Sequence, residues 1–464
     1  MPQISIETII KQAKAAQTEF ETAGQEVVDE LITGLAWALI EPETNRSLSN
    51  QAVHDTGLGN ADDKFTKNYR KTLGLLRDLK NAPSVGVIKK IPEKWLVEIA
   101  RPVGVVGAVT PSTNPIATPL NNTINAIKGR NSIILSPSPK GDAVCELIVE
   151  ILQKVLVRLG HPKHLIQKIP SPASKEATNT LMQSVDLVVV TGSEKNVSSA
   201  YRSGTPAIGV GVGNVAVIID ETADLASAAS KVVTSKIFDN ATSCSSENSL
   251  VIVDDVYENA IEALQEEGGV LLDHEETQEL KDNLWIQGKL NPHLIAKSAS
   301  EIATVVGFQR PEMKQAKMLM VEETGTGSEH PFSGEKLSPV LTLYRAENFE
   351  NACQKIIELY EFQGKGHSVG LHSKDETRPL EMGLNLPACR VIVNQPHCLA
   401  TGGSFSNGMP FSLSMGCGTW GRNNISDNLN YRHFLNIVRV VNPVTSIEPS
   451  EEEIFGEFWK KQGR

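Results

Sequence analysis

The sequence predicts an α/β protein built on a doubly wound parallel sheet, and three observations lead there. From Val103 onward, short apolar runs alternate with helical stretches, the pattern of strands joined by crossover helices. Polar turns rich in Gly, Ser, Thr and Pro close two of those runs, at Thr110–Pro115 and Thr191–Ser193, where a parallel strand would feed a helix. A chain of 464 residues exceeds one compact core, so two or three domains are expected.

Taken in order, Met1 to about Lys80 reads as helical, with Ile4, Ile9, Ile10, Ala13 and Ala16 at helical spacing. A targeting helix for a protein shell would share that pattern. The stretch runs on without a Gly/Ser/Pro linker, which favours an ordinary first helix. Residues 87–106 read as two strands around Pro92-Glu93-Lys94, a hairpin arm. Strand, helix and strand follow at 104–109, 115–128 and 132–135, then a helix at 143–159 and a strand at 187–190. A second α/β stretch is expected from near Phe238 to about Pro410. The late strand 434–440 follows a completed domain, so pairing across a subunit interface is expected of it.

The formal charge of -11 and the absence of basic-aromatic clusters argue against nucleic acid and anionic membranes as partners. No apolar run approaches the ~20 residues of a membrane helix. The N-terminus lacks a secretory pattern. Six scattered cysteines (Cys145, Cys244, Cys353, Cys389, Cys398, Cys417) form no CxxC pair and no metal cluster. Reduced thiols in the cytoplasm, with no metal, are the expectation.

Cys244 stands out. It lies in the small polar run Asn240–Ser249, between a helical pattern and the apolar strand Leu250–Val253. A thiol there is exposed to chemistry, although the segment alone equally admits a semi-buried structural thiol. Asn114, after the first sheet strand, can donate to an oxyanion or simply close a turn before Pro115. Thr191-Gly192-Ser193 offers N–H groups to a diphosphate. The glycines of Gly209-Val210-Gly211-Val212-Gly213-Asn214 precede a strand rather than a helix, so they read as a loop approaching a ligand or Cys244 closely.

Six segments in family order resemble the CoA-acylating branch of the aldehyde dehydrogenase superfamily: RPVGVVGAVTPSTNPIAT, SGTPAIGVGVGNVAVIIDETADL, SKIFDNATSCSSENSLVIVDD, HPFSGEKLSPVLTLY, GKGHSVGLHS and SLSMGCGTWGRNN, from about Arg101 to Asn424. The resemblance implies helices and a nucleotide-binding domain over 1–235, with an oligomerisation hairpin at about 87–106. It implies a catalytic domain over 236–420 and a C-terminal oligomerisation segment over 421–464. A homodimer or dimer-based homo-oligomer is implied with it.

By the same resemblance Cys244 is the nucleophile, and Asn114 with the Cys244 N–H stabilises the oxyanion. His367 is a candidate acid/base or ordering residue, or else a satisfied core histidine. Thr110, Ser112, Ser136, Ser138, Thr191, Gly192, Ser193, Gly211, Glu335 and Leu337 are implied at the cofactor. Hydrolytic relatives carry a general-base Glu where this chain has Ala207-Ile208-Gly209-Val210. Without that base water is a poor nucleophile, so CoA is the implied acyl acceptor. The stretch Ser136-Pro137-Ser138-Pro139-Lys140 has no acid to repel a 2′-phosphate, which favours NADP over NAD. Glu247 reads as structural, and Cys417 as a residue of the loop flanking the site.

Ser243 and Arg422 give the expected mouth a polar and cationic character. A short anionic aldehyde, sulfoacetaldehyde, is therefore the expected substrate, with acetaldehyde or another short aliphatic aldehyde as the alternative. A hydrolytic enzyme or a non-catalytic scaffold on the same fold are the other readings; the absent base opposes the first and the intact Cys244 and Asn114 segments oppose the second.

Overall fold

The structure is a computed structural model that describes residues 4–464. Met1–Gln3 of the expected first helix lie outside the described residues. Four helices come first: α1 (Ile6–Phe20), α2 (Gln25–Ile40), α3 (Pro42–Thr56) and α4 (Ala61–Leu79). The Ser5 side chain caps α1 by accepting from Thr8 N at 3.3 Å, which leaves Ile4 outside the helix and exposed. Ile9, Ile10 and Ala13 pack against Val105, Val109 and Ile134, so α1 is part of the core.

The hairpin follows as β1 (Gly86–Ile91) and β2 (Leu96–Pro102). It ends at Pro102, not Val106, because Val105 and Val106 belong to the next strand. That strand is β3 (Val105–Thr110), followed by α5 (Ala117–Lys128), β4 (Ser132–Pro137), α6 (Asp142–Arg158), β5 (Ile166–Lys168), α7 (Lys175–Ser184), β6 (Leu187–Thr191), α8 (Glu194–Tyr201) and β7 (Ala207–Val210). These strands form a parallel sheet in the order β5-β4-β3-β6-β7. Each strand is buried on both faces, which is why it reads as an unbroken apolar run.

The chain then crosses to a second sheet through the loop between Val210 and Val215. Its elements are β8 (Val215–Ile219), α9 (Leu225–Ile237), β9 (Glu247–Val253), α10 (Tyr257–Glu266), β10 (Gly269–Leu271), α11 (His274–Leu284), a small hairpin of β11 (Trp285–Ile286) and β12 (Lys289–Leu290), α12 (Ala299–Val306), β13 (Met318–Glu322), β14 (Val340–Ala346), α13 (Phe349–Phe362), β15 (Val369–His372), α14 (Arg378–Asn385), β16 (Val391–Val393) and α15 (His397–Ala400). The order is β10-β13-β14-β9-β8-β15-β16, all parallel. The first strand of the second sheet in chain order starts at Val215, since β8 pairs with β9 and β15.

The last strand, β17 (Leu435–Val441), pairs antiparallel with β2 of the same chain, giving the order β1-β2-β17. β17 is the edge strand of this small sheet, paired on one side within the chain. A final helix, α16 (Glu451–Gln462), ends the chain. No helix among the described residues is long and apolar enough to cross a membrane.

Candidate active site

Cys244 sits between α9 and β9, where Ser246 N donates to Ser243 O at 3.0 Å and makes Cys244 and Ser245 the centre of a tight turn. Three successive residues before it, Asp239, Asn240 and Ala241, have φ of 50°, 50° and 58°. Such left-handed backbone costs about 1–3 kcal/mol per non-glycine residue and persists only where the surroundings hold it. Here α4 holds it. The buried Asp239 carboxylate accepts from Lys64 Nζ (3.0 Å), Lys67 Nζ, Asn60 N (2.9 Å) and Thr242 Oγ1 (2.7 Å). Burial pushes this carboxyl up, but Lys67 and Lys64 outweigh it and hold it below the ordinary range.

Gly213 in the crossing loop makes the closest approach. A Cβ there would stand 1.8 Å from the Cys244 carbonyl oxygen. The glycine loop thus lets the backbone reach the Cys244 turn, as expected.

Cys244, Ser243 and Asn114 line one cavity, brought together from three places in the chain. The Asn114 Oδ1 is buried without a partner, and among the described residues its amide makes no hydrogen bond. The Cys244 N–H donates to no described backbone group. Both donors are therefore free. Burial raises the Cys244 thiol above its ordinary range, and the Glu335 carboxylate adds to the rise.

The cations of this cavity are Lys67, Arg70 and Lys71, all from α4, and no Asp or Glu lines it. Lys67 is committed to Asp239. Lys71 Nζ donates to Gly402 O (2.8 Å) and Gly403 O (3.1 Å), and burial, with repulsion from Arg70 and Lys67, brings it down to about 8. Arg70 makes no ion pair or hydrogen bond among the described residues; its guanidinium lies 6.0 Å from the Phe405 ring centroid. Sequence reasoning missed all three. The signal was present in the helical spacing of Lys64, Lys67 and Lys71, which puts lysines on the face where a buried helix carries apolar residues.

Arg422, expected as the cation at this mouth, is exposed and lines a second cavity instead, with Gly211, Val212, Arg202 and Lys365. Its φ of 56° turns its backbone out of the preceding 3₁₀ turn. This cavity, about 410 Å³, abuts α8 and is far wider than the one at Cys244, about 40 Å³.

His367 lines neither cavity. It is 1% exposed, its Nδ1 lies 2.7 Å from Ser368 Oγ, and burial followed by repulsion from Arg390 and His397 lowers it to about 3. Its Nε2 is buried without a partner among the described residues, and its carbonyl accepts from Arg390 Nη1 at 2.9 Å.

Of the residues expected at the cofactor, Thr110, Ser112, Ser136, Ser138, Thr191, Gly192 and Ser193 lie at or just beyond the carboxyl ends of first-sheet strands, Gly211 lies in the crossing loop, and Glu335 and Leu337 precede β14. Thr110 ends β3, and its carbonyl accepts from Ser138 N at 3.1 Å. Ser112 follows in the loop towards Asn114, part-exposed. Ser138 Oγ is buried without a partner. Ser136 Oγ lies 2.8 Å from Thr178 Oγ1. Thr191 Oγ1 lies 2.6 Å from Ser414 Oγ; Gly192 leads to Ser193, whose side chain caps α8. The α8 N-terminus leaves N–H groups free for an anion. Glu335, part-exposed with no hydrogen bond to its carboxylate among the described residues, is raised to about 8 by burial, against the pull of Lys236 and Lys336. Leu337 beside it holds φ 45° and accepts from Ala296 N at 2.7 Å. An orphaned serine hydroxyl, an unpaired carboxyl group and an open helix N-terminus fit a dinucleotide.

Glu247 is structural: it is buried, accepts from Ser235 Oγ (2.5 Å) and His397 N (3.1 Å), and is raised by burial to about 7. Cys417 is fully buried, and its Sγ would lie 3.2 Å from a Cβ at Gly211.

An aldehyde dehydrogenase family model matches residues 3–273. Over 460 residues the chain is 54% identical to the sulfoacetaldehyde dehydrogenase (acylating) of Cupriavidus necator, covering 99% of this chain and 93% of that one. It is 39% identical to the succinate-semialdehyde dehydrogenase (acetylating) of Clostridium kluyveri, covering 98% and 99%. An acetylating aldehyde dehydrogenase from Geobacillus thermoglucosidasius superposes with a TM-score of 0.92 at 36% identity, covering 96% and 98%.

Proposed function

The chain belongs to the aldehyde dehydrogenase family, and we propose that it oxidises sulfoacetaldehyde to sulfoacetyl-CoA, with NAD(P) as hydride acceptor and CoA as acyl acceptor. The observation that carries the substrate is the Cys244 cavity, lined by three cations and no carboxylate. An aliphatic aldehyde gives those charges nothing to bind, whereas a sulfonate fits the free guanidinium of Arg70 and the remaining donor of Lys71. The carboxylate of a succinate semialdehyde is the second reading, supported by the relative with that activity.

Cys244 gives its thiol proton to solvent, and the thiolate Sγ forms a bond to the aldehyde carbon as the C=O π pair moves onto oxygen, which becomes an oxyanion. The Asn114 amide and the Cys244 N–H donate to that oxygen, which lowers the barrier where charge develops. The bound nicotinamide supplies a hydride acceptor. Ser138 and the α8 N-terminus hold the phosphates, and Glu335 takes a ribose hydroxyl. The acyl group then rests on Cys244 as a thioester. No carboxylate occupies Ala207–Val210, so the protein activates no water there. The wide cavity admits the pantetheine arm, its thiolate attacks the thioester, and Cys244 leaves. Ser138, with Lys140 nearby, favours NADP. The protein works in the cytoplasm as a dimer or an assembly of dimers.

The test is cofactor reduction by purified protein with sulfoacetaldehyde, succinate semialdehyde and acetaldehyde, each with and without CoA. Turnover that requires CoA and prefers sulfoacetaldehyde is the expected result. Equal turnover of acetaldehyde removes the anionic substrate, and turnover indifferent to CoA removes the acylating step. Arg70→Ala is expected to lower kcat/KM for sulfoacetaldehyde about ten- to a hundredfold, the worth of a charged hydrogen bond, and to leave acetaldehyde unchanged.

A further inference from the structure

The segment 442–464 leaves β17 and joins none of the three larger sheets. Ser450 caps α16 by accepting from Glu453 N at 3.2 Å. Ile454, Phe455 and Phe458 share one helical face and are 56%, 48% and 61% exposed, and no residue of α16 enters a buried apolar cluster of the described residues. A helix of 12 residues is marginal in water on its own, so an apolar face of this kind needs an occupant.

Charge on the helix identifies one. Glu451, Glu452 and Glu453 fill its first turn, and Lys460 and Lys461 its last. We propose that α16 docks antiparallel on α16 of a second copy of this chain. That orientation sets the acidic turn of each helix against the basic turn of the other and opposes their dipoles. It also brings Ile454, Phe455 and Phe458 of both copies together at a two-fold axis. A parallel pair would juxtapose six glutamates. The existing pairs within the chain, Lys460 with Glu457 (2.8 Å) and Arg464 with Glu451 (3.0 Å), are solvent-exposed, and such pairs exchange at little cost. The contact joins protomers beyond the strand β17.

Light scattering of the full-length protein tests this with three variants. K460E/K461E sets like charges face to face, and dissociation of α16-linked protomers is expected at about tenfold higher protein concentration than for the parent. Adding E451K/E452K/E453K in the same chain restores the complementarity and the assembled mass. Phe455→Ser/Phe458→Ser removes the apolar seam and gives the lower mass, with aldehyde turnover retained as the sign of an intact fold. An unchanged mass in K460E/K461E, or no recovery in the five-fold variant, overturns the pairing and assigns α16 to another surface of the chain or to a different protein.

Discussion

At the scale of single residues, the cavity divides its labour by what each side chain is already bound to. Lys67 is neutralised by Asp239, Lys71 is anchored on two carbonyls, and Arg70 is free. Substrate charge therefore falls to Arg70 first and Lys71 second. Lys71 gives this a pH signature. Held down to about 8, it is a cation below that pH and neutral above it. The Lys71 share of the attraction for a sulfonate is thus present at pH 7 and lost as pH rises through about 8, leaving that of Arg70, while the Cys244 thiolate grows over the same range. The ratio of kcat/KM for sulfoacetaldehyde to that for acetaldehyde cancels the thiolate. It should fall as pH passes 8; a flat ratio from pH 7 to 9.5 would exclude Lys71 from binding. Gly213 sets a second expectation. Its Cβ position lies 1.8 Å from the Cys244 carbonyl, so Gly213→Ala must displace the nucleophile's turn. Misplacement of about 1 Å costs about a hundredfold, and kcat should drop by that order, with the fall followed by burst kinetics of the acyl-enzyme.

At the scale of elements, α4 is both the strap that keeps the Cys244 loop in its left-handed course and the source of the cavity's cations. The two roles meet in Asp239. Asp239→Ala leaves Lys64 and Lys67 buried without their counter-charge, and breaking a buried pair costs about 3–5 kcal/mol. A lower denaturant midpoint and a loss of turnover are expected together, whereas an unaltered midpoint would mean the loop holds itself. This element also marks the limit of what the sequence discloses. Cys244, Asn114 and the strand ends are legible because each sits in a local pattern of turn, strand and small polar residues. The cavity's charge is not, because α4 and Cys244 are brought together only by the packed fold, and lysines on a buried helical face look like solvated charge until the partner at Asp239 is seen. Arg422 failed for the converse reason: proximity in sequence to a site-flanking loop says nothing about which cavity its backbone turns towards. The burial of His367 likewise cannot be read from a Gly-Lys-Gly-His stretch.

At the scale of the whole molecule, the Cys244 turn lies between two sheets, with a narrow cationic cavity on the α4 side and a wide one against α8. The first sheet presents its carboxyl ends here, at Thr110 and Thr191, where ligands collect in open sheets, and the second sheet presents its amino ends, at Val215 and Glu247. The crossing loop at Gly211–Asn214 joins the two units at this seam. A substrate entering from one side and a pantetheine arm from the other would meet only at the thiol, so the two recognitions should separate genetically. Arg422, Arg202 and Lys365 supply cations on the wide side, where CoA and dinucleotide phosphates would pass. Arg422→Glu is expected to raise KM for CoA several-fold, since an exposed charge pair contributes about 0.2–1 kcal/mol and reversal adds repulsion. KM for sulfoacetaldehyde should stay as it was. Arg70→Ala should do the opposite, raising KM for the aldehyde and leaving that for CoA. Steady-state kinetics with each substrate varied in turn reads both. If either variant moves both constants together, the two cavities are one path, and the thiol is reached by aldehyde and CoA from the same side.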